Sequence, residues 1–271
     1  KPICDTLKQL KTFGLLEVAR PDIEKFGVES FSAIADLYRR HGDPEFVTLH
    51  QDHVPVVDED GEKVDYLSLT REALAAGYHS VMIDGSRLSL EENIAVTAEV
   101  VNLAHPKDVP VEAELGAVLG HESGPMPPYE ELFASGKGFT APDEARRFVN
   151  ETGVSWLSVS VGNIHGAITG SAKDQAKVNA MLNIDHLIKL KEATGIPLVL
   201  HGGSGIQREY ILEAIKNGLT KLNIGTDIRQ AYEKALRSTG SVEEARKACS
   251  EKMEYLIVDY FGIQGSGASL Q

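Results

Sequence analysis

Three histidines each stand just beyond a short apolar, β-branched run. His53 closes LHQDH (residues 49–53), His165 lies in VGNIHG (161–166), and His201 opens HGGSG (201–205) after the run 196–200. Imidazoles brought together from three strand ends could share one Zn²⁺ and leave its fourth position open for substrate. The neutral ring nitrogen is a borderline-soft donor suited to that ion. The same places also suit histidines that are hydrogen-bonded parts of the framework, and the pattern alone leaves both readings open. His41, His79, His105 and His186 fall on helix or loop positions and are expected at the surface. Two small-residue stretches, 201–204 and 223–227, also follow apolar runs and lead towards helices. Backbone N–H groups around Gly202, Gly203 and Gly225 could approach an anion there, with Ser204, Asn223 and Thr226 as further donors and a helix N-terminus adding positive potential. Glycines that only make tight turns are the competing reading. Carboxylates complete the set. Asp52 precedes His53, Asp84 ends the run 80–83, and Glu122 lies in a Gly/Pro-rich segment that could carry it into and out of a site. Glu112 and Glu114 alternate on one face of a buried run, where an acid demands a partner or a cation. Lys221 is the one lysine at such a position, and its alternation with Asn223 assigns it no decided role.

Positioning these groups requires buried strands with ends on one side. Seven runs read as strands that are apolar on both faces: 14–18, 46–49, 80–83, 109–113, 156–160, 196–200 and 220–224. Helical spacing appears between them, at 67–76, at 89–104 behind the capping box Ser89-Leu-Glu-Glu92, and at 142–149, 184–193 and 209–217. An opening helix is expected over 2–11. Alternation of strand and helix specifies a parallel sheet with helices outside it. No G-x-G-x-x-G follows the first strand, which argues against an open dinucleotide-binding sheet. The expected architecture is therefore α/β, a (β/α)8 TIM barrel of one domain over 1–271, in which catalytic residues gather at the C-terminal strand ends. Only seven strands are found, so the first strand–helix unit is expected to be missing. Residues 54–65 and 120–139 are long irregular segments of the kind that serve as lids, and the Gly/Ser-rich tail at 262–271 is expected to be flexible.

Composition limits the partners. Across 271 residues, 27 Lys plus Arg face 40 Asp plus Glu, a net charge of −13. With a pI near 5.2, such a body argues against general binding of nucleic acid or anionic membranes, which needs a basic face. A few local donors or a metal can still hold a phosphate. Cys4 and Cys249 are the only cysteines, too few for a disulfide framework, and a cytoplasmic location is expected. No apolar run reaches the ~18 residues of a membrane span, and no signal-peptide pattern opens the chain.

The motifs LHQDH, SVMIDGSRLSLEEN, VEAELGAVLGHE, VSVGNIHG, IPLVLHGGSGI and KLNIGTD occur in that order. Together they resemble the class II, zinc-dependent fructose-bisphosphate aldolase family, which includes tagatose-bisphosphate and other ketose-phosphate aldolases. The resemblance runs from about Glu17 to Tyr232. It implies reversible cleavage of fructose 1,6-bisphosphate into dihydroxyacetone phosphate and glyceraldehyde 3-phosphate, a step of glycolysis, with another ketose phosphate as the alternative substrate and a barrel zinc hydrolase as a more distant reading. It implies that His53, His165 and His201 bind the catalytic zinc, and that Asp84 and Glu114 line a second, more buried metal position. Asp52 would exchange a proton with the C4 hydroxyl, and Glu122 would move the proton of the three-carbon ketone. Gly166, Gly202, Ser204, Asn223, Gly225 and Thr226 would hold the dihydroxyacetone-phosphate half, with Na⁺ or K⁺ near Gly166 and Ser204. A homodimer or homotetramer is implied, because an arginine for the distal phosphate often comes from a partner subunit in the family. The chain departs from the pattern at Gly225, at His121 before Glu122, and in the insertion 54–65.

Overall fold

The computed structural model describes residues 1–25, 27–116, 128–164 and 180–270. Seven strands are hydrogen-bonded in chain order: β1 (Gly14–Ala19), β2 (Val47–Asp52), β3 (Ser80–Ile83), β4 (Val111–Leu115), β5 (Trp156–Val159), β6 (Leu198–Leu200) and β7 (Leu219–Leu222). The pairings β1–β2, β2–β3, β4–β5, β5–β6 and β6–β7 are all parallel. Every residue of β3 and β4 is buried; β3 reads as a nearly unbroken apolar run, whereas β4 alternates its acids with apolar residues although both of its faces are covered. All seven expected strands are present, and no eighth occurs among the described residues.

Contacts divide the chain into two compact units. The first comprises residues 1–53, 69–81 and 225–271. Here α1 (Pro2–Gln9) sets Cys4 and Leu7 against Val47 of β2 and against Met253 and Ile257, which follow in and after α11 (Val242–Glu254). Both cysteines are buried and free. Helix α2 (Arg20–Lys25) follows β1 directly, and α3 (Phe31–His41) starts where the Ser30 hydroxyl accepts the Ala33 N–H, a side-chain cap for one of the otherwise unsatisfied first-turn donors. Helix α10 (Thr226–Thr239) pairs with α11. The Gly/Ser-rich end, expected to be flexible, runs through a 3-10 turn at Ser266–Leu270, and the N–H groups of Gly265 and Gly267 donate to the carbonyls of Leu10 and Lys11, each at 3.0 Å.

The second unit comprises residues 54–68 and 82–224. It holds β4 to β7 and the helices α5 (Leu90–Ala104), α6 (Tyr129–Ser135), α7 (Pro142–Thr152), α8 (Ile184–Thr194) and α9 (Arg208–Lys216). The remaining helix α4 (Tyr66–Ala76) and strand β3 each contribute residues to both units. The Ser89 capping box forms as the sequence predicts: Glu92 N–H donates to the Ser89 hydroxyl and the Glu92 carboxylate accepts from the Ser89 backbone. Part of the expected irregular stretch 120–139 is helical, as α6. The insertion at 54–65 is also organised: Val57 pairs with Lys63, and the Asp58 carboxylate accepts the N–H groups of Asp60 and Glu62 at 3.1 and 2.9 Å.

Candidate active site

Every strand except β3 shifts at one end or both, and the extensions of β2 and β4 place chemistry. Strand β2 does not stop at Leu49; it runs to Asp52 and pairs residue by residue with β1, Glu17 facing His50 and Ala19 facing Asp52. Because strand side chains alternate, His50 and Asp52 share one face. His50 is fully buried, its Nδ1 lies 2.8 Å from the Ser80 hydroxyl, and its Nε2 lies 3.8 Å from the Asp52 carboxylate. Ligand-type atoms of Glu17, His50 and Asp52 all fall within 4.8 Å of one another. Asp22, in the first turn of α2, accepts the Ala19 N–H at 2.8 Å. Burial pushes its carboxyl above the ordinary range, the charge of Asp52 adds to this, and the Ala19 hydrogen bond opposes it. The backbone then turns sharply, since His53 has φ +34°, a left-handed conformation that costs a non-glycine residue strain.

The second unit carries the other sequence-predicted residues. Strand β4 extends to Leu115, so Glu112 and Glu114 both lie inside it, on one face and buried. His201, just past β6, is 1% exposed. Its Nε2 lies 2.8 Å from a Glu112 oxygen and its Nδ1 lies 3.4 Å from a Glu114 oxygen. The second Glu112 oxygen is 2.9 Å from the Lys221 ammonium. Asp84 follows β3, and one of its carboxylate oxygens accepts both the N–H and the hydroxyl of Ser86, at 3.0 and 2.6 Å. Its backbone is bracketed by the insertion, donating to Val54 and accepting from Val56.

The anion-cradle glycines separate into different kinds. Gly203 donates its N–H to the Asn223 carbonyl at 3.1 Å, and Asn223 donates to Leu200 at 3.0 Å. A Cβ on Gly203 would stand 2.7 Å from methyl carbons of both Leu222 and Ile224, so any side chain there forces those residues to shift. Gly202 has φ +70°. Ser204 is buried, and Asn163 holds the turn by donating its side-chain amide to the His201 carbonyl at 3.1 Å. In the first unit, Gly225 caps α10 and Thr226 begins it; a Cβ on Gly225 would meet nothing within 4 Å. Glu122, His165, Gly166 and His121 lie outside the described residues.

The donor set around His201 fits a divalent ion. A ring whose Nε2–H donates to Glu112 keeps a lone pair on Nδ1, and that lone pair faces a carboxylate oxygen of Glu114. Two acceptors 3.4 Å apart call for positive charge near them, either a second ring proton or a metal ion. The carboxylate–imidazole arrangement is the one that fixes the tautomer of metal-ligating histidines and raises their basicity. Sequence reasoning singled out Glu112 without assigning it and left Lys221 undecided. His50, Ser80 and Asn163 went unnoticed; the signal available for His50 was its spacing two residues before Asp52 in a run that pairs with β1.

The fold is of the α/β class, a parallel sheet with helices between its strands. The solved structure of the YdjI aldolase from Escherichia coli K12 superposes with a TM-score of 0.74 at 29% identity, covering 98% of this chain and 88% of that one. A sequence profile described as fructose-bisphosphate aldolase class-II matches residues 1–266, and the chain belongs to that family. A fructose-bisphosphate aldolase of Streptococcus pyogenes serotype M3 is 40% identical over 218 residues, 80% of this chain and 65% of that protein. A 6-phospho-5-dehydro-2-deoxy-D-gluconate aldolase of Halalkalibacterium halodurans is 38% identical over 192 residues, 71% of this chain and 58% of that protein. The chain thus spans less than two thirds of the length of these curated relatives. No helix among the described residues is long and apolar enough to cross a membrane.

Proposed function

We propose that the chain is the catalytic part of a zinc-dependent class II aldolase that reversibly cleaves fructose 1,6-bisphosphate to dihydroxyacetone phosphate and glyceraldehyde 3-phosphate. The observation that carries the reading is the buried clamp on His201, with Glu112 on one ring nitrogen and Glu114 facing the other. In this reading His53, His165 and His201 hold the zinc, and Asp84 and Glu114 line the deeper metal position. A bound Zn²⁺ supplies Lewis acidity, stabilising the negative charge that develops on the ketose when the C3–C4 bond breaks. Asp52 takes the C4 hydroxyl proton as that carbon becomes the aldehyde, and Glu122 delivers a proton to C3 of the three-carbon fragment. Each transfer contributes about 10²–10⁴-fold. Gly166, Gly202, Ser204, Asn223, Gly225 and Thr226 bind the dihydroxyacetone-phosphate half, with Na⁺ or K⁺ beside Gly166 and Ser204. The architecture proposed is a TIM barrel of one domain, short of its first strand–helix unit here, in a cytoplasmic homodimer or homotetramer.

The family also acts through relatives named for other substrates, and the Halalkalibacterium protein supports a second reading in which the ketose phosphate is a different one. A panel of ketose mono- and bisphosphates, assayed with and without EDTA, tests both. The expected result is cleavage of fructose 1,6-bisphosphate that EDTA abolishes and zinc restores. Full activity in EDTA refutes the metal mechanism, and a stronger turnover of another sugar phosphate replaces the substrate.

A further inference from the structure

The buried cation Lys221 takes no part in the chemistry above. We propose that Lys221 is a positioning residue that sets zinc affinity by holding Glu112 against His201; the inference rests on the zinc reading. The Glu112 carboxylate is fully buried and spends one oxygen on each neighbour, 2.8 Å to the imidazole Nε2 and 2.9 Å to the ammonium. With both oxygens engaged its plane is fixed, and with it the direction in which the ring presents Nδ1.

The sheet is built to deliver this lysine. Between β6 and β7 the register jumps: Leu198 faces Leu219, yet Val199 faces Lys221. Thr220 is the extra residue and is exposed. A one-residue slip sends every following side chain to the opposite face, and such bulges are a recognised means of re-aiming one. Without the irregularity Thr220 would face Val199 and Lys221 would point away from Glu112. The ammonium therefore reaches the carboxylate because of a specific backbone feature, and the other oxygen of that carboxylate faces a histidine whose second nitrogen faces Glu114.

The decisive measurement is the rate and equilibrium of zinc loss to a chromogenic chelator, made on the wild type, Lys221→Met, Glu112→Gln and the double variant, with thermal melts alongside. Loss of an outer partner of a metal-ligating histidine typically lowers metal affinity by about 10–100-fold, and Lys221→Met is expected to do so while excess zinc returns most of its turnover. Glu112→Gln is expected to lose a similar factor, and adding Lys221→Met to it to change little, because residues acting through a shared partner are not additive. A purely structural lysine would lower the melting temperature in both backgrounds and gain nothing from zinc; that pattern overturns the inference. So does Glu112→Gln holding zinc as tightly as wild type, a result that stands even if Lys221→Met does not fold. A wild-type protein that binds no zinc overturns the inference together with the function it rests on.

Discussion

Gly203 and Gly225 look alike in sequence, each a small residue in a proposed phosphate cradle, yet their surroundings predict opposite results for alanine. At Gly203 the new Cβ would stand 2.7 Å from Leu222 and Ile224 methyl carbons and 2.8 Å from the Leu222 branch carbon. Carbon atoms rest at about 3.5–4.0 Å, so close to 1 Å of overlap must be relieved on two sides at once. Overpacking of a well-filled interior costs about 1–3 kcal/mol, which corresponds to a melting temperature lower by about 2–12 °C for a chain of this size. Relief would come from moving the turn away from β7, stretching the 3.1 Å bond between the Gly203 N–H and the Asn223 carbonyl and displacing Ser204. Gly203→Ala should therefore also raise KM for the sugar phosphate. At Gly225 nothing lies within 4 Å and φ is −118°, so Gly225→Ala should alter stability by under about 1 kcal/mol. Differential scanning fluorimetry and steady-state kinetics on the two variants check this. Equal melting temperatures for Gly203→Ala and wild type would refute the packing argument.

Other substitutions probe other links. Asp52→Ala should keep its zinc, read by metal analysis, and lose about 10²–10⁴-fold in turnover; surviving turnover would remove Asp52 from the proton transfer. Asp22→Asn should stabilise the protein at neutral pH. The native carboxyl lies above its unfolded value because burial and the charge of Asp52 disfavour ionisation, so the folded state is penalised increasingly as pH rises above the ordinary carboxylate value, and fully once pH passes the raised one. The benefit of Asn should shrink as pH falls towards the ordinary carboxylate range and vanish below it, which denaturant melts at several pH values would follow. Ser89→Ala removes the capping box of α5 and should cost about 0.5–2 kcal/mol, read in the same melts with activity unchanged.

The sheet was legible because most of its strands, β3 and β6 above all, are buried and read as apolar runs. The ends of those runs were not. His50, Gln51 and Asp52 look like a polar loop, yet backbone pairing with β1 keeps them in β2, and a buried polar residue cannot be told from an exposed one by its type. The capping box of α5 was legible because its signal is local. Helices α3, α10 and α11 went unremarked, although Ser30 and Ser241 cap α3 and α11 with local signals of the same kind. The site divides similarly. The histidines and acids stand out as types at strand ends, whereas the ion pair between Glu112 and Lys221 depends on a register jump between β6 and β7 that no run of residues announces.

The bracketing of Asp84 by Val54 and Val56 has a practical outcome. Because two backbone hydrogen bonds stitch the inserted hairpin to the residue bearing that carboxylate, changing the hairpin's length or tip would tug on the main chain at Asp84 without altering any acid or imidazole. Grafting shorter or longer turns between Val57 and Lys63 thus offers a graded mechanical adjustment of that carboxylate's placement, of a kind that substituting the carboxylate itself cannot provide.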